Sequence, residues 1–129
     1  LAMYVVMADY NYVQHYGIVR VPGTPIEKRH AWNHLRPLSR RLTFEITTHS
    51  EHHLDPDCPY HRLTPMREAP QLPGVWWCFL VSFVPPLWHR MMRTHLARWD
   101  REHATAAERA LAAQANAAAG WEAGQGVAA

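Results

Sequence analysis

The sequence predicts a mainly α-helical fold with long loops, and three stretches support this prediction. Residues 1–16 begin with an apolar run and stop before Gly17, and glycine often closes a helix because it accepts the left-handed conformation. Residues 40–54 follow Ser39, whose side chain can cap the amino end of a helix. Residues 104–119 are mostly alanine, so they are expected to form a helix that has little to bury.

Proline and glycine mark the predicted loops. Residues 18–26 are expected to form an extended loop or a short hairpin. A longer loop is predicted for residues 55–74, which contain five prolines and end at Gly74. A helix of mixed charge is expected from about Arg90 onwards. Disorder is expected for residues 120–129, which are mostly small.

Histidine is the outlier of the composition. The chain has 129 residues, of which 48% are hydrophobic and 19% charged, with a formal net charge of +2. The positive charges are dispersed, which argues against a nucleic-acid-binding protein. Cys58 and Cys78 form no C-x-x-C pair, so a disulfide framework, a zinc ribbon and a rubredoxin-type iron site are not expected. The ten histidines are about three times the average usage, which indicates a metal-binding protein.

A long apolar run, residues 75–88, predicts an interfacial or re-entrant segment or a buried core helix. Its fourteen residues fall short of the roughly twenty that a membrane-spanning helix needs, and Pro85 and Pro86 interrupt it. A place at the cytoplasmic face of a membrane is favoured by flanking tryptophans and following arginines. These are Trp76, Trp77, Trp88, Arg90, Arg93, Arg98 and Arg101.

One segment carries three histidines within five positions. On a helix, His49, His52 and His53 would share an arc of about 100°. Leu42 and Ile46 would continue this stripe, so the histidines are expected on a buried face. Clustered imidazoles stay uncharged most readily around a cation. The cluster therefore predicts a metal site, with a solvated histidine-rich helix as the alternative.

The spacing also predicts which histidines would bind the same metal ion and which would bind different ones. Adjacent helical side chains diverge by about a quarter-turn, which suits His52 and His53 as ligands of two neighbouring metals, while His49 could serve either. The H-E-x-x-H motif of zinc proteases is absent, although zinc remains a competing metal. Upstream, Asn11 and His15 are four residues apart, so the amide can reach the imidazole. A hydrogen bond within the core would explain that pair equally well.

Five short motifs occur in order over residues 8–90. They are N-Y-x-x-H-Y-G, H-A-W-N, H-S-E-H-H, E-A-P-Q-L-P and P-P-L-W, with a proline and a tyrosine after the third. The residues concerned are Asn11, Tyr12, His15, Tyr16, Gly17, residues 30–33, His49, Ser50, His52, His53, Pro56, Tyr60, and residues 68–73 and 85–88. In this order the motifs resemble the alkane 1-monooxygenase family, within the membrane hydroxylases and desaturases defined by histidine boxes.

The resemblance implies two non-haem iron ions held by histidines of this chain: His15, His49, His52 and His53. Two further histidine boxes would lie upstream of Leu1, so the sequence is expected to be a carboxy-terminal fragment that is inactive alone. Glu51 would orient a ligand imidazole through a hydrogen bond, and Asn11 would support His15. Residues 1–101 would be part of a helical integral membrane hydroxylase domain, and residues 102–129 a partly helical, then disordered tail.

The implied reaction inserts one oxygen atom from O₂ into an unactivated C–H bond of a hydrocarbon, usually at a terminal methyl group. The metal site would face the cytoplasm at a bacterial inner membrane, in contact with lipid. A separate rubredoxin- or ferredoxin-type protein would supply electrons. Exposed arginines are a candidate docking surface for such an acidic donor: Arg40, Arg41, Arg90 and Arg93.

Several positions depart from the family pattern and leave the substrate open. Thr47 and Thr48 replace the usual Gln-Arg, and Glu51 replaces aspartate. Residues 58–59 are Cys-Pro where two arginines are frequent, and His61 replaces glutamine. The pattern suits a branch acting on aromatic side chains or terpenes rather than on straight alkanes. The alternatives are a desaturase-type oxidase, a small soluble zinc-stabilised binding module and a structural protein without chemistry.

Overall fold

The computed structural model describes residues 2–120, which form six α-helices joined by long loops. The helices are α1 (Ala2–His15), α2 (Pro37–Leu42), α3 (His49–Leu54), α4 (Val75–Ser82), α5 (Pro85–Glu102) and α6 (Ala106–Ala118). Lys28–His30 and Tyr60–Arg62 form 3-10 turns, and Asn33 and Gln71 form an isolated parallel bridge. The prediction of a mainly α fold is confirmed. Of the segment expected to be disordered, residues 121–129 lie outside the described residues.

Helices α1, α4 and α5 pack around one apolar core. Gly17 follows α1 in the left-handed conformation, with φ of 71°, as predicted. A Cβ atom at Gly17 would lie 2.5 Å from the side chain of Leu96 on α5, so the glycine also lets these two elements approach. The buried core cluster consists of Val13, Trp32, Leu72, Cys78, Val81, Trp88, Met92 and Trp99.

The prediction of a single helix over residues 40–54 is wrong, because the backbone forms two shorter helices with a turn between them. α2 ends at Leu42, and Phe44 and Glu45 then take positive φ angles of 51° and 63°. The prediction that Leu42 and Ile46 continue the histidine stripe on a buried face is wrong for the same reason. Leu42 and Ile46 are 58% and 38% exposed.

Side-chain hydrogen bonds reinforce the turn alongside its backbone bonds, which include those from the Thr43 N–H to the carbonyl of Ser39 (3.1 Å) and from the Glu45 N–H to the carbonyl of Arg40 (2.8 Å). The Thr43 hydroxyl donates to the carbonyl of Ser39 (2.8 Å), and the Thr48 hydroxyl donates to the carbonyl of Glu45 (2.6 Å). Arg40 also pairs with Glu45 at 2.7 Å. Threonine hydroxyls compete with helical hydrogen bonding in this way. The two left-handed residues are therefore held by their own neighbours.

Ser39 caps a different helix from the one predicted. It lies buried inside α2, and its Oγ accepts a hydrogen bond from the N–H of Val75 (3.0 Å), the first residue of α4. The free N–H groups at a helix start need such partners. Ser39 therefore ties α2 to α4.

The apolar run divides between two helices. α4 ends at Ser82, and α5 begins at Pro85 rather than near Arg90. Proline is tolerated at this position because the first N–H groups have no helical partner. The sequence predicts Trp88 at a membrane interface, but it is fully buried in the core, while Trp76 and Trp77 are exposed. Within residues 2–120, no helix combines the length and hydrophobicity needed to cross a membrane.

Helix α6 buries a carboxylate, although the sequence predicts a helix with little to bury. Thr105 and Glu108 form a capping box at its start. Glu108 is 1% exposed and contacts Arg29 and His30, far upstream in the chain. The predicted division between residues 1–101 and residues 102–129 stays a prediction.

Candidate metal site

An extended segment, residues 31–34, holds the end of α1 beside the start of α3. The N–H of Trp32 donates to the carbonyl of Gln14 (2.9 Å), and the N–H of His34 donates to the carbonyl of Thr47 (3.0 Å). α1 ends one residue after the first of these carbonyls, and α3 begins two residues after the second. The segment therefore brings together the two helix ends that carry the predicted ligands.

Asn33 and Ser50 make a buried two-point contact at the start of α3. Asn33 Nδ2 donates to Ser50 Oγ (2.7 Å), and the Ser50 N–H donates to Asn33 Oδ1 (3.0 Å). Ser50 Oγ in turn donates to the carbonyl of Lys28 (2.6 Å). Because Ser50 directly follows His49, the contact orients the histidine turn. Both residues lie in the sequence motifs, and this position was the one sequence signal that could have identified them. The sequence alone predicted no role for either.

Three imidazoles from α1 and α3 converge on one point. The Nε2 atoms of His15 and His49 are 3.1 Å apart, those of His15 and His53 are 3.2 Å apart, and those of His49 and His53 are 3.0 Å apart. His49 is buried, and the other two are half-buried. These three residues, His15, His49 and His53, are called the histidine triad below. The structure thus brings together three of the four predicted ligands.

His52 does not join the histidine triad. Its ring centre lies 6.0 Å from that of His49 and 6.1 Å from that of His53. It lines a separate cavity of about 340 Å³ whose other lining residues include Phe44, Cys58 and Tyr60. This divergence is the one predicted for adjacent helical side chains, and it pairs His49 with His53 rather than with His52.

Hydrogen bonds alone cannot satisfy the histidine triad. A ring nitrogen either carries a hydrogen and donates, or carries a lone pair and accepts. Among three mutually contacting nitrogens, at least one pair must therefore be of the same kind and repel. A cation removes the conflict because all three lone pairs can point at it. The three residues thus fit a metal ion.

The nitrogen spacing fits a metal that keeps open coordination positions. Two nitrogens at right angles around an ion about 2.1 Å away lie about 3.0 Å apart, whereas two nitrogens of a tetrahedral site lie about 3.4 Å apart. The observed separations of 3.0 and 3.1 Å are closer to the first arrangement, and that of 3.2 Å lies midway between the two. Imidazole nitrogens suit iron among the first-row metals. The donor set therefore fits iron, with zinc as the competing metal.

Burial keeps the imidazoles of the triad uncharged. It lowers the pKa of His49 to about 2, and the neighbouring His53, His15 and His52 act in the same direction. Burial is also the main cause of the lowered pKa of His15 and of His53. At His15 the carbonyl of His30 opposes this shift. Neutral imidazole is the form that binds a metal.

Two other predicted residues lie away from the triad nitrogens. The carboxylate of Glu51 accepts hydrogen bonds from the backbone N–H and the hydroxyl of Thr64, the latter at 2.9 Å. It thus fixes the loop after α3 rather than an imidazole. Asn11 is exposed, and among the described residues it makes no hydrogen bond to His15. The structure therefore does not show the contacts with ligand imidazoles that the sequence predicts for Glu51 and Asn11.

A small cavity lies beside the triad. Its volume is about 200 Å³. Aliphatic side chains form part of the wall, with one arginine and three histidines. The lining residues are His15, Ile18, Arg20, Ile26, His30 and His53.

Comparison with known proteins decides the family. The model of the fatty acid desaturase family matches residues 1–80, which include α1, α3 and the whole histidine triad. This chain belongs to the fatty acid desaturase family. The motif order predicts membership of the wider group of histidine-box hydroxylases and desaturases, and this match agrees with that prediction.

Curated relatives confirm the resemblance to the alkane 1-monooxygenases. The hydroxylase component of a xylene/toluene monooxygenase from Pseudomonas putida is 44% identical over 117 residues, which cover 90% of this chain and 32% of the relative. An alkane 1-monooxygenase from Acinetobacter baylyi is 30% identical over 103 residues, or 75% of this chain and 25% of the relative. Alkane 1-monooxygenase 1 from Alcanivorax borkumensis is 32% identical over 95 residues, or 69% and 24%. The chain thus spans a third or less of these relatives.

Proposed function

We propose that this chain is the carboxy-terminal part of a membrane-bound, non-haem di-iron monooxygenase. The complete enzyme inserts one oxygen atom of O₂ into an unactivated C–H bond of a hydrocarbon, and the other oxygen atom leaves as water after two electrons and two protons are added. The observation that carries the proposal is the convergence of His15, His49 and His53. Membership of the desaturase family and the monooxygenase relatives support it.

The histidine triad would hold one iron ion, and His52 would hold a second together with ligands from outside this chain. Iron would supply the activation of O₂, which no amino-acid side chain can perform. This assignment gives His52 a reason to diverge from the triad while staying about 6 Å from it in ring-centre distance. It also leaves the remaining coordination positions to the two histidine boxes expected upstream.

The residues of this chain prepare the site in three ways. Burial keeps the triad imidazoles neutral, so that they bind a metal without first losing protons. The Asn33–Ser50 contact and the carbonyl of Lys28 fix the start of α3, so the ligands need little reordering. Ile18 and Ile26 give the cavity beside the triad part of an apolar wall, against which a hydrocarbon can pack.

A methyl group on an aromatic ring is the favoured substrate. The relative whose name gives xylene and toluene matches at 44% identity, and the two alkane relatives match at 30% and 32%. The departures from the alkane pattern at Thr47, Thr48 and residues 58–59 point the same way. The C–H bond attacked would be that of the methyl group.

The electron donor would be a separate rubredoxin- or ferredoxin-type protein, as the resemblance to the alkane 1-monooxygenases implies. Of the arginines suggested for docking, Arg40 is paired with Glu45 at 2.7 Å, so Arg41 and Arg90 are the better candidates.

The enzyme would sit in the bacterial inner membrane with its metal site on the cytoplasmic side. Exposed apolar side chains on and after α4 support contact with lipid: Trp76, Trp77, Leu80, Phe83 and Leu87.

Product analysis tests the proposal. The complete polypeptide that carries this chain is expressed in bacterial membranes with a ferredoxin-type donor and supplied with p-xylene, toluene or a linear alkane. The expected product is one oxygen atom heavier than the substrate, with iron bound to the protein. A product two hydrogen atoms lighter would make it a desaturase-type oxidase instead. A water-soluble protein that holds zinc and converts no substrate would contradict the proposal.

A further inference from the structure

Glu108 on α6 is a buried carboxylate with partners from two parts of the chain. Its Oε1 lies 2.7 Å from Nε2 of His30, and its Oε2 lies 3.2 Å from Nε of Arg29. The N–H of Thr105 donates to Oε2 as well (2.8 Å). Burial alone would raise the pKa of Glu108, but the hydrogen bonds from Thr105, His30 and Arg29 lower it to about 2. The group is therefore a carboxylate at neutral pH.

The hydrogen bonds of His30 fix its tautomer. The backbone N–H of Glu27 donates to His30 Nδ1 (2.9 Å), so this nitrogen carries no hydrogen. Nε2 must then carry it and donate to Glu108. His30 lines the cavity beside the triad, but both of its ring nitrogens are engaged elsewhere. It therefore does not act as a further metal ligand in this arrangement.

The 3-10 turn Lys28–His30 touches both elements that carry the triad. The Lys28 carbonyl accepts from Ser50 Oγ (2.6 Å), beside His49 on α3. Two residues after the turn, the Trp32 N–H donates to the carbonyl of Gln14 (2.9 Å), the residue before His15 on α1. These two bonds attach the turn and the segment after it to the helix ends that carry the ligands, and such outer contacts orient ligand imidazoles.

The turn is short, so its position depends on side-chain anchors. Trp99 on α5 donates its indole N–H to the Arg29 carbonyl (2.7 Å), and Glu108 on α6 holds the side chains of Arg29 and His30. These two contacts attach the turn to the carboxyl-terminal helices. Glu108 supplies the part of the attachment that carries a charge, and it accepts the Nε2–H of His30.

We propose that Glu108 is a positioning residue for the metal site, acting through the Lys28–His30 turn on His15 and His49. The inference rests on the proposed metal site. Glu108 lies beyond residues 1–80, the part matched by the family model, so the desaturase pattern does not contain this contact. Helix α6 is thereby a functional part of the site.

Iron release tests this inference in the complete polypeptide loaded with iron. A ferrous chelator is added, and the rate of iron loss is followed for the wild type and for Glu108→Ala, which is expected to lose iron about tenfold faster. This is the low end of the effect of removing an outer partner of a metal ligand. Glu108→Gln keeps the capping box and one acceptor oxygen, so its rate should fall in between.

Matched variants separate positioning from folding. Glu102→Ala removes an exposed carboxylate of α5 paired with Arg98 and should release iron at the wild-type rate. Thr105→Ala removes the hydroxyl that caps α6 and donates to Glu108, but it leaves the Arg29 and His30 contacts of Glu108 in place, so it should have a smaller effect than Glu108→Ala. Because part of the effect of Glu108 passes through His30, the double variant Glu108→Ala/His30→Ala should release iron more slowly than the product of the two single-variant factors predicts.

Three results would overturn the inference: an unchanged rate for Glu108→Ala, a Thr105→Ala effect equal to that of Glu108→Ala, or additive effects in the double variant. A wild-type protein that retains no iron would instead defeat the proposed function. The two failures are thus distinguishable.

Discussion

Asn33 uses both ends of its side-chain amide to hold the turn that carries His49. Its Nδ2 donates to Ser50 Oγ, and its Oδ1 accepts from the Ser50 N–H. Asn33→Ala would leave the Ser50 N–H buried without a partner, which costs about 1–3 kcal/mol. We expect the free energy of unfolding to fall by about 2 kcal/mol and iron retention to decrease, measured by thermal unfolding and by iron content.

Asn116→Ala is the matched control, because this asparagine is exposed on α6. It should unfold within about 0.5 kcal/mol of the wild type. Equal losses for the two variants would show that Asn33 has no special role at the start of α3.

The sequence could predict the residues of the site better than their partners. His15, His49 and His53 follow from the motifs and from helical spacing, and the structure brings them together. The pairing of Asn33 with Ser50 joins residues 17 positions apart, and that of His30 with Glu108 joins residues 78 positions apart. No local periodicity encodes such contacts, since they depend on how the loops fold back.

At the scale of elements, the turn between α2 and α3 predicts that glycine is more stabilising than alanine at position 44. Inside a helix the order would be the reverse. Phe44 is exposed and has φ of 51°. Phe44→Gly and Phe44→Ala both delete the ring, but only glycine accepts this conformation without strain. We expect the glycine variant to be more stable by about 1 kcal/mol, measured by denaturant unfolding.

A continuous helix over residues 40–54 would give the opposite order, because alanine is favoured over glycine by about 1 kcal/mol inside a helix. An alanine variant more stable than the glycine variant would therefore contradict the turn. The experiment needs no knowledge of the metal.

The error over residues 40–54 has a physical origin. Hydrophobic spacing at Leu42 and Ile46 favours a helix, while the hydroxyls of Thr43 and Thr48 favour local bonds, and spacing alone does not decide between them. Gly17 was predictable because one local property, its backbone freedom, determines its role. Ser39 was not, since its bond to Val75 spans 36 residues.

At the scale of the whole molecule, a metal ion would join α3 and the Lys28–His30 turn, which are otherwise held by a few hydrogen bonds, to the core helix α1. α1, α3 and the Lys28–His30 turn meet at the triad, whereas α5 is held by the buried Trp88, Met92 and Trp99. Ligands that bind only the folded state stabilise it. Iron removal by a chelator is therefore expected to increase hydrogen–deuterium exchange in α3 and in the turn, but not in the middle of α5.

Exchange in the complete polypeptide, measured by mass spectrometry before and after chelation, checks this expectation. An equal increase in α3 and α5 would mean global destabilisation rather than a local metal link. No change in either helix would place the metal away from the triad.

The mainly α fold was predictable because glycine, proline and alanine mark helix ends and interiors locally. The relation of the chain to a bilayer was not, because Trp88, which is typical of an interface by sequence, is fully buried. Burial of an aromatic residue depends on the packing of α1, α4 and α5 against one another. That arrangement is a property of the assembled molecule rather than of any segment.

X-ray absorption at the iron edge tests the central claim most directly. The complete polypeptide, His49→Ala and His61→Ala are compared, the last being an exposed histidine outside the triad. His49→Ala should reduce imidazole scattering and weaken iron binding by more than the roughly 10–100-fold loss caused by removing an outer partner, while His61→Ala should match the wild type. Wild-type iron content and an unchanged spectrum in His49→Ala would contradict the claim that His15, His49 and His53 bind a common metal ion.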